Sequence, residues 1–198
     1  MTNNRPKLKI TFNSPAILVF ALACVAVQVV NVLTHGASNR LLFSTYRSSL
    51  LNPLTWLRCV THVLGHSGWE HLLNNMMYLL LLGPMLEEKY GTANIAVVML
   101  VTAVVTGLVN ILFFPGVALL GASGIVFAMV LLSSITSVTE GTIPLTFILV
   151  AVLYIGVQLY QGLFVKDNIS QVAHIVGGLV GTALGFVMAR HGMSRYRA

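Results

Sequence analysis

The chain has 198 residues, of which 57% are hydrophobic and 8% are charged, and its mean hydropathy is +0.87. A soluble domain carries about 25% charged residues, so this composition excludes a water-soluble globular protein and predicts an integral membrane protein. The formal net charge of +6 needs no nucleic-acid partner, because basic residues that flank membrane spans account for most of it.

Six apolar stretches follow one another along the chain, and each approaches or reaches the roughly 20 residues that a transmembrane helix needs. We therefore predict an all-α bundle of six transmembrane helices in a single domain over residues 1–198, with short basic tails at about 1–13 and 190–198. Ser14 and Pro15 are typical of the N-cap and first position of a helix. The predicted spans are residues 15–33, 69–86, 94–114, 121–137, 143–164 and 172–189.

Lysine and arginine predict the orientation, because they are enriched in the cytoplasmic segments of membrane proteins. With six spans, both tails and the second connection lie on one side and carry seven basic residues, whereas the other side carries four. Both termini are therefore expected in the cytoplasm, where the tails would also contact anionic lipid headgroups. The seven are Arg5, Lys7, Lys9, Lys89, Arg190, Arg195 and Arg197, and the four are Arg40, Arg47, Arg58 and Lys166.

The longest connection, residues 34–68, lies on the non-cytoplasmic side. It carries many apolar side chains, including Leu51 and Trp56, but polar residues interrupt them. It is too apolar for a freely solvated loop and too interrupted to span the bilayer. We predict a first loop that is partly embedded in the membrane interface or packed against the bundle.

Polar side chains lie near the starts of three spans: His71 and Asn75 in the second, Ser123 in the fourth and His174 in the sixth. His71 and Asn75 are four residues apart and share a helix face. Because these three spans all run inward from the same surface, the four side chains are predicted at a similar depth. Such groups are costly inside a membrane, so their convergence favours a functional site.

Glycines lie near Ser123 in the fourth span and near His174 in the sixth, and they let two membrane helices approach backbone to backbone. We expect this approach to place the Ser123 hydroxyl within about 2.6–3.2 Å of the His174 imidazole, as a nucleophile and its base require. Phe127 would place a ring one turn below the hydroxyl. The glycines are Gly121 and Gly124 in the fourth span and Gly177, Gly181 and Gly185 in the sixth.

Ser123 is also predicted in the first turn of its helix, where unpaired backbone N–H groups and the helix dipole stabilise an anion. An oxyanion formed on attack by Ser123 would lie there, and His71 and Asn75 would add side-chain donors. Each residue also has a structural interpretation, since a membrane serine commonly bonds a carbonyl one turn earlier and His71 and Asn75 could cap a helix. The glycines could serve packing alone.

Residues 87–89 are predicted to form a solvated helix end.

Four motifs in chain order resemble those of the rhomboid intramembrane serine proteases, over roughly residues 55–189. HVLGHSGWEHLLNN at 62–75 is similar to the histidine-rich start of that family's second span, and EEKYG at 87–91 is similar to its Glu-x-x-x-Gly motif. GASG at 121–124 resembles the nucleophile motif Gly-x-Ser-Gly, and AHIVGGLVG at 173–181 resembles the motif Ala-His-x-x-Gly-x-x-x-Gly.

The resemblance implies a Ser–His dyad in which Ser123 is the nucleophile and His174 is the general base and then the acid. It places His71, Asn75 and the Ser123 backbone N–H in the oxyanion hole. It implies cleavage of transmembrane segments of other membrane proteins in a bacterial cytoplasmic membrane, with the active site toward the outer leaflet, the fifth span as a gate, and no metal or other cofactor. The implied structural supports of the site are Gly121, Gly124, Phe127, Gly177, Gly181, Arg58 and Glu87.

The sequence departs from the family pattern in three places. Trp56 lies two positions before the arginine of the first loop instead of next to it, Phe127 stands where tyrosine is common, and we expect the minimal form of the family, with no further domain or seventh span. Two other interpretations stay open. His62, His66 and His71 could bind zinc or another divalent ion, and a proteolytically inactive relative could bind membrane clients.

Overall fold

The structure is a computed structural model that describes residues 12–135, residues 171–193 and isolated positions between residues 145 and 160. The described positions in that last interval are helical. Most of the predicted fifth span, residues 143–164, and most of both basic tails therefore lie outside the described residues.

The first half of the chain contains two of the predicted spans with the first loop between them. The first span is helix α1, Pro15–Leu33. The first loop contains two short helices, α2, Ala37–Leu42, and α3, Pro53–Thr61, followed by a 3-10 turn, His62–Leu64. The second span is α4, Trp69–Tyr90.

The predicted third span corresponds to α5, Thr92–Phe113, the predicted fourth to α6, Ser123–Ile135, and the predicted sixth to α7, Gln171–Met193. These bounds agree with the predicted spans to within a few residues. Among the described helices, α1 and α5 are by themselves long and apolar enough to cross a membrane, and α6 and α7 contain shorter apolar segments. The helical architecture is confirmed, and the number of six spans stays a prediction.

The carboxylate of Glu87, near the end of α4, caps the start of α1. Its Oε1 accepts a hydrogen bond from the backbone N–H of Ala16, and its Oε2 accepts one from the backbone N–H of Ile17, each with an N···O distance of 3.0 Å. Ser14 occupies the N-cap position before Pro15, as predicted, but its side chain makes no capping hydrogen bond. The prediction of a solvated helix end is wrong for Glu87, which is 3% exposed, because its charge satisfies amide groups at the positive end of α1.

This cap defines the two ends of the bundle. The start of α1 lies beside the end of α4, and α5 begins two residues after α4, so these three helix termini share one end. The start of α4, with His71, lies at the opposite end, and so does the end of α5. Glu88 and Lys89 are exposed at the capped end, as predicted.

Buried apolar side chains of α1, α4, α5 and α6 form one core cluster. Large apolar side chains also cover the outer faces of these helices, where Leu22, Leu81 and Leu112 are each at least 60% exposed. A soluble bundle would carry polar residues there, so the exposed apolar faces fit a bilayer. The core includes Ile17, Cys24, Leu72, Leu79, Ile95, Ile125 and Met129.

The first loop packs against the bundle, which was one of its two predicted arrangements. Thr45 and Leu119 form an isolated antiparallel bridge, in which the Thr45 N–H donates at 2.9 Å and the Leu119 N–H donates at 2.8 Å. The Asn110 amide of α5 donates to the Thr45 carbonyl oxygen at 3.2 Å. The Asn39 amide of α2 donates to the His66 carbonyl oxygen at 2.8 Å. These bonds fix the loop at the end of the bundle where α5 ends.

Arg58 connects the short helices inside the first loop. It is 5% exposed, its Nε donates to the Leu41 carbonyl oxygen at 2.8 Å, and its guanidinium lies 4.7 Å from the centre of the Tyr46 ring. The outer face of the loop leaves Leu51 and Trp56 exposed. Insertion of that face into the membrane interface stays a prediction.

Candidate functional site

Helix α6 begins at Ser123, directly after a turn that the first loop holds in place. The Gly121 N–H donates to the His62 carbonyl oxygen at 2.9 Å, two residues after the bridge between Leu119 and Thr45. Gly121 has φ +124°, a conformation that residues with a side chain rarely adopt. The turn therefore requires glycine at this position, and it sets Ser123 in the first turn of the helix.

Gly121 faces His71 and Asn75. A Cβ atom at Gly121 would lie 2.7 Å from Cε1 and 2.9 Å from Nε2 of His71, and 3.9 Å from Nδ2 of Asn75. The missing side chain leaves the His71 ring and the Asn75 amide beside the turn that precedes Ser123. The structure thus brings both residues to the start of α6, at the end of the bundle that their depth predicted.

Ser67 orients the imidazole of His71. The Ser67 hydroxyl lies 3.1 Å from His71 Nδ1, and the Ser67 backbone N–H donates to the same atom at 3.4 Å. Because a backbone N–H can only donate, Nδ1 is the acceptor and the proton of the neutral ring lies on Nε2. Nε2 is a ring atom beside Gly121, so His71 presents a hydrogen-bond donor toward the start of α6. This role of Ser67 was not predicted, although its four-residue spacing from His71 is a signal for it.

His66 packs against the His71 ring. The two rings meet edge to face, with centroids 5.0 Å apart and an interplanar angle of 67°. His66 is fully buried, and its Nδ1 donates to the Leu64 carbonyl oxygen at 3.1 Å. Burial, and to a smaller extent the charge of nearby His71, lowers the pKa of His66 to about 4. His66 is therefore neutral at pH 7.

His62 ties the first loop to α5. Its Nδ1 donates to the Cys59 carbonyl oxygen at 3.1 Å, and its Nε2 lies 3.3 Å from the Thr106 hydroxyl. Burial lowers the pKa of His62 to about 4. Both ring nitrogens contact protein groups, which argues for a structural histidine and against the interpretation in which His62, His66 and His71 bind a metal ion together.

Helices α6 and α7 contact each other through glycines, as predicted. A Cβ atom at Gly177 would lie 2.6 Å from the carbonyl oxygen and 2.8 Å from Cα of Gly124, and one at Gly181 would lie 2.7 Å from the carbonyl oxygen of Ala128. The two contacts advance by four residues on both helices, so α6 and α7 run in the same direction, with Gly177 level with Gly124 and the start of α7 before the start of α6. A larger side chain at either glycine would force the helices apart.

His174 lies in α7 one turn before Gly177, so its backbone is level with the turn that precedes Ser123. The side chain of His174 lies outside the described residues. The side chains of Ser123 and Phe127 are partly buried along α6. The pairing of Ser123 with His174, and the contact of Phe127 with the histidine ring, stay predictions.

Comparison with known proteins defines the class to which this bundle belongs. The Rhomboid domain family matches residues 53–191, more than half of the chain, so the chain belongs to the rhomboid family of membrane proteins. Among its relatives is Rhomboid-related protein 2 of Mus musculus, which is 29% identical over 160 residues, or 70% of this chain and 53% of that protein.

Bacterial and plant relatives match as well. Rhomboid protease GlpG of Yersinia pestis (strain Pestoides F) is 28% identical over 177 residues, or 87% of this chain and 62% of that protein. RHOMBOID-like protein 4 of Arabidopsis thaliana is 34% identical over 126 residues, or 62% of this chain and 32% of that protein. The matches to these three relatives thus span 32% to 62% of their lengths.

Proposed function

We propose that this chain is an intramembrane serine endopeptidase that cleaves transmembrane segments of other membrane proteins. Ser123 is the nucleophile, and His174 is the general base and then the general acid. The observation that carries the proposal is the contact between α6 and α7 at Gly124 and Gly177, one residue after the serine and one turn after the histidine. Because the two helices are this close, side chains that face each other across the contact can form a hydrogen bond.

In the first step, the Ser123 hydroxyl oxygen attacks the carbonyl carbon of the scissile peptide bond while His174 takes the hydroxyl proton. The carbonyl π electrons move onto oxygen and give a tetrahedral oxyanion. As this intermediate collapses, His174 donates the proton to the leaving amine, and an ester remains on Ser123. Water that gives a proton to His174 then hydrolyses the ester and restores the serine.

The start of α6 stabilises the oxyanion in this mechanism. The Ser123 backbone N–H lies at the positive end of the helix. His71 offers its Nε2–H beside Gly121, and Asn75 donates one amide hydrogen to the His71 carbonyl oxygen and keeps a second for the oxyanion. Removal of one such donor typically costs about 10²–10³ in rate.

The family and the helical bundle support a proposal for the setting. We infer a six-span, single-domain protease of a bacterial cytoplasmic membrane, with both termini in the cytoplasm and the fifth span as a gate for substrates. Ser123 and His71 lie at the end of the bundle opposite the Glu87 cap, and the bias of basic residues favours an orientation with that end toward the outer leaflet. Every step uses side chains of this chain and water.

The test uses the full-length protein in detergent with a panel of single-span substrates and, separately, a fluorophosphonate probe for reactive serines. Wild type should cleave a substrate and bind the probe, whereas Ser123→Ala should do neither. Ser133→Ala is the matched control, because it removes a hydroxyl of the same helix, ten residues after Ser123, that donates to the Val130 carbonyl oxygen. Equal labelling of wild type and Ser123→Ala would contradict the assignment. A wild type that retains substrates but neither cleaves them nor binds the probe would favour the inactive client-binding alternative.

A further inference from the structure

An open apolar groove of about 350 Å³ lies between α1 and α5, beneath the first loop. Its walls come from the first halves of the two helices, its roof from the end of α3 and the following turn, and its floor from α6. The volume lies within the roughly 300–1,000 Å³ that is usual for ligand sites. Its lining includes Val19, Thr61, Ala96, Leu100 and Ile125.

The described lining of this groove offers no place for water. Thr61 is its polar residue, and the Thr61 hydroxyl already contacts the carbonyl oxygens of Leu42 and Leu57. A buried water needs two to four polar partners, and apolar cavities stay dry. An empty groove, however, deprives its walls of dispersion contacts. The occupant that fits is therefore a hydrocarbon chain.

The groove is continuous with the surface that faces the bilayer. Val19 and Leu100 belong to its lining and are 59% and 52% exposed, and Leu22 and Val97 extend the same apolar surface at 63% and 50%. In a membrane protein this surface contacts acyl chains. The groove opens to this surface between the first half of α1 and the first half of α5.

We propose that one acyl chain of a bilayer phospholipid binds in this groove as a structural ligand. Ile125 connects the groove to the candidate site, because it is fully buried, forms the floor and lies two residues after Ser123. The bound chain therefore supports the helix that carries the serine. This role does not depend on the proposed protease activity, and binding can be measured without it.

The test uses two variants of the protein, each with one leucine replaced by a diazirine-bearing analogue. The first carries the analogue at Leu100, in the groove. The control carries it at Leu112, an exposed residue of α5 outside the groove. The full-length protein is extracted from its membrane, washed in detergent until free phospholipid is gone, and irradiated. Intact mass and peptide mapping then identify the adduct. A phospholipid adduct at Leu100 and a detergent adduct at Leu112 are expected.

Two aromatic substitutions complete the test. Ala96→Phe fills the groove from an exposed position and should abolish the phospholipid adduct at Leu100, whereas Val97→Phe on the adjacent surface should preserve it. Only detergent adducts at Leu100, or a phospholipid adduct that Ala96→Phe does not reduce, would overturn the proposal. An adduct between Leu100 and a peptide of this chain would also overturn it, because the protein itself or a second copy would then fill the groove.

Discussion

Among the described glycines, Gly121 combines a positive φ with a Cβ position that another side chain occupies. Its φ of +124° and the position of the His71 ring exclude a Cβ atom independently. Gly121→Ala should lower kcat/KM by at least about 10²-fold, because His71 must leave the position from which it donates to the oxyanion. Gly116→Ala is the control in the same connection, since a Cβ there would meet nothing within 4 Å. Similar kcat/KM values for the two variants would contradict the proposed oxyanion hole.

Two buried histidines predict a pH dependence of stability. The pKa values of His62 and His66 are about 4 in the folded protein and about 6.5 in the unfolded chain. Between these values the unfolded chain binds protons that the folded protein does not, so the free energy of unfolding falls as the pH drops from 6.5 toward 4. Thermal unfolding in detergent should therefore give a lower Tm at pH 5 than at pH 7.

The double variant His62→Gln, His66→Gln isolates this effect. It should be less stable than wild type at pH 7, because the contacts of His62 with Cys59 and Thr106 are lost. Its Tm should nevertheless fall less between pH 7 and pH 5, by at least about 2–4 °C, which corresponds to roughly 1 kcal/mol for a chain of this size. If Tm falls equally in wild type and in the double variant, groups other than His62 and His66 cause the pH dependence.

At the scale of the helices, the cap that Glu87 provides joins α4 to the start of α1. Glu87→Gln removes the charge and one of two acceptor oxygens, so the free energy of unfolding should fall by about 1–2 kcal/mol. Hydrogen exchange at the amides of Ala16 and Ile17 should rise at the same time. Glu88→Gln, at the exposed neighbouring position, should change neither quantity. If hydrogen exchange at these two amides is unchanged in Glu87→Gln, the carboxylate does not stabilise the start of α1.

The contact between α6 and α7 is the second feature at this scale. Gly181→Leu should separate the helices and destabilise the bundle by about 1–3 kcal/mol. A shift of about 1 Å between nucleophile and base can cost about 10²-fold in rate, so activity should fall more than stability. Gly116→Leu adds the same side chain where a Cβ meets nothing within 4 Å and should preserve both. Wild-type activity and Tm in Gly181→Leu would exclude a tight contact at this glycine.

At the scale of the whole molecule, the sequence predicts those features of the fold that depend on hydropathy periodicity and local residue patterns. The bounds of α1 and the glycine contact of α6 with α7 follow from hydropathy and four-residue spacing. The cap of Glu87 joins residues 70 positions apart, and neither segment carries a pattern that points to the other. The fold of the first loop was not predictable for the same reason, because its backbone partners, such as Leu119, lie in a distant connection.

The turn before Ser123 is held by main-chain atoms of the first loop. Thr45 and Leu119 exchange two backbone hydrogen bonds, and the Gly121 N–H donates to the backbone oxygen of His62. Such bonds do not depend on side-chain identity, so positions 45 and 119 can drift over evolutionary time to any residue that fits the available space. Descendants of this chain can therefore inherit the geometry of the serine helix through a loop whose sequence no longer looks alike.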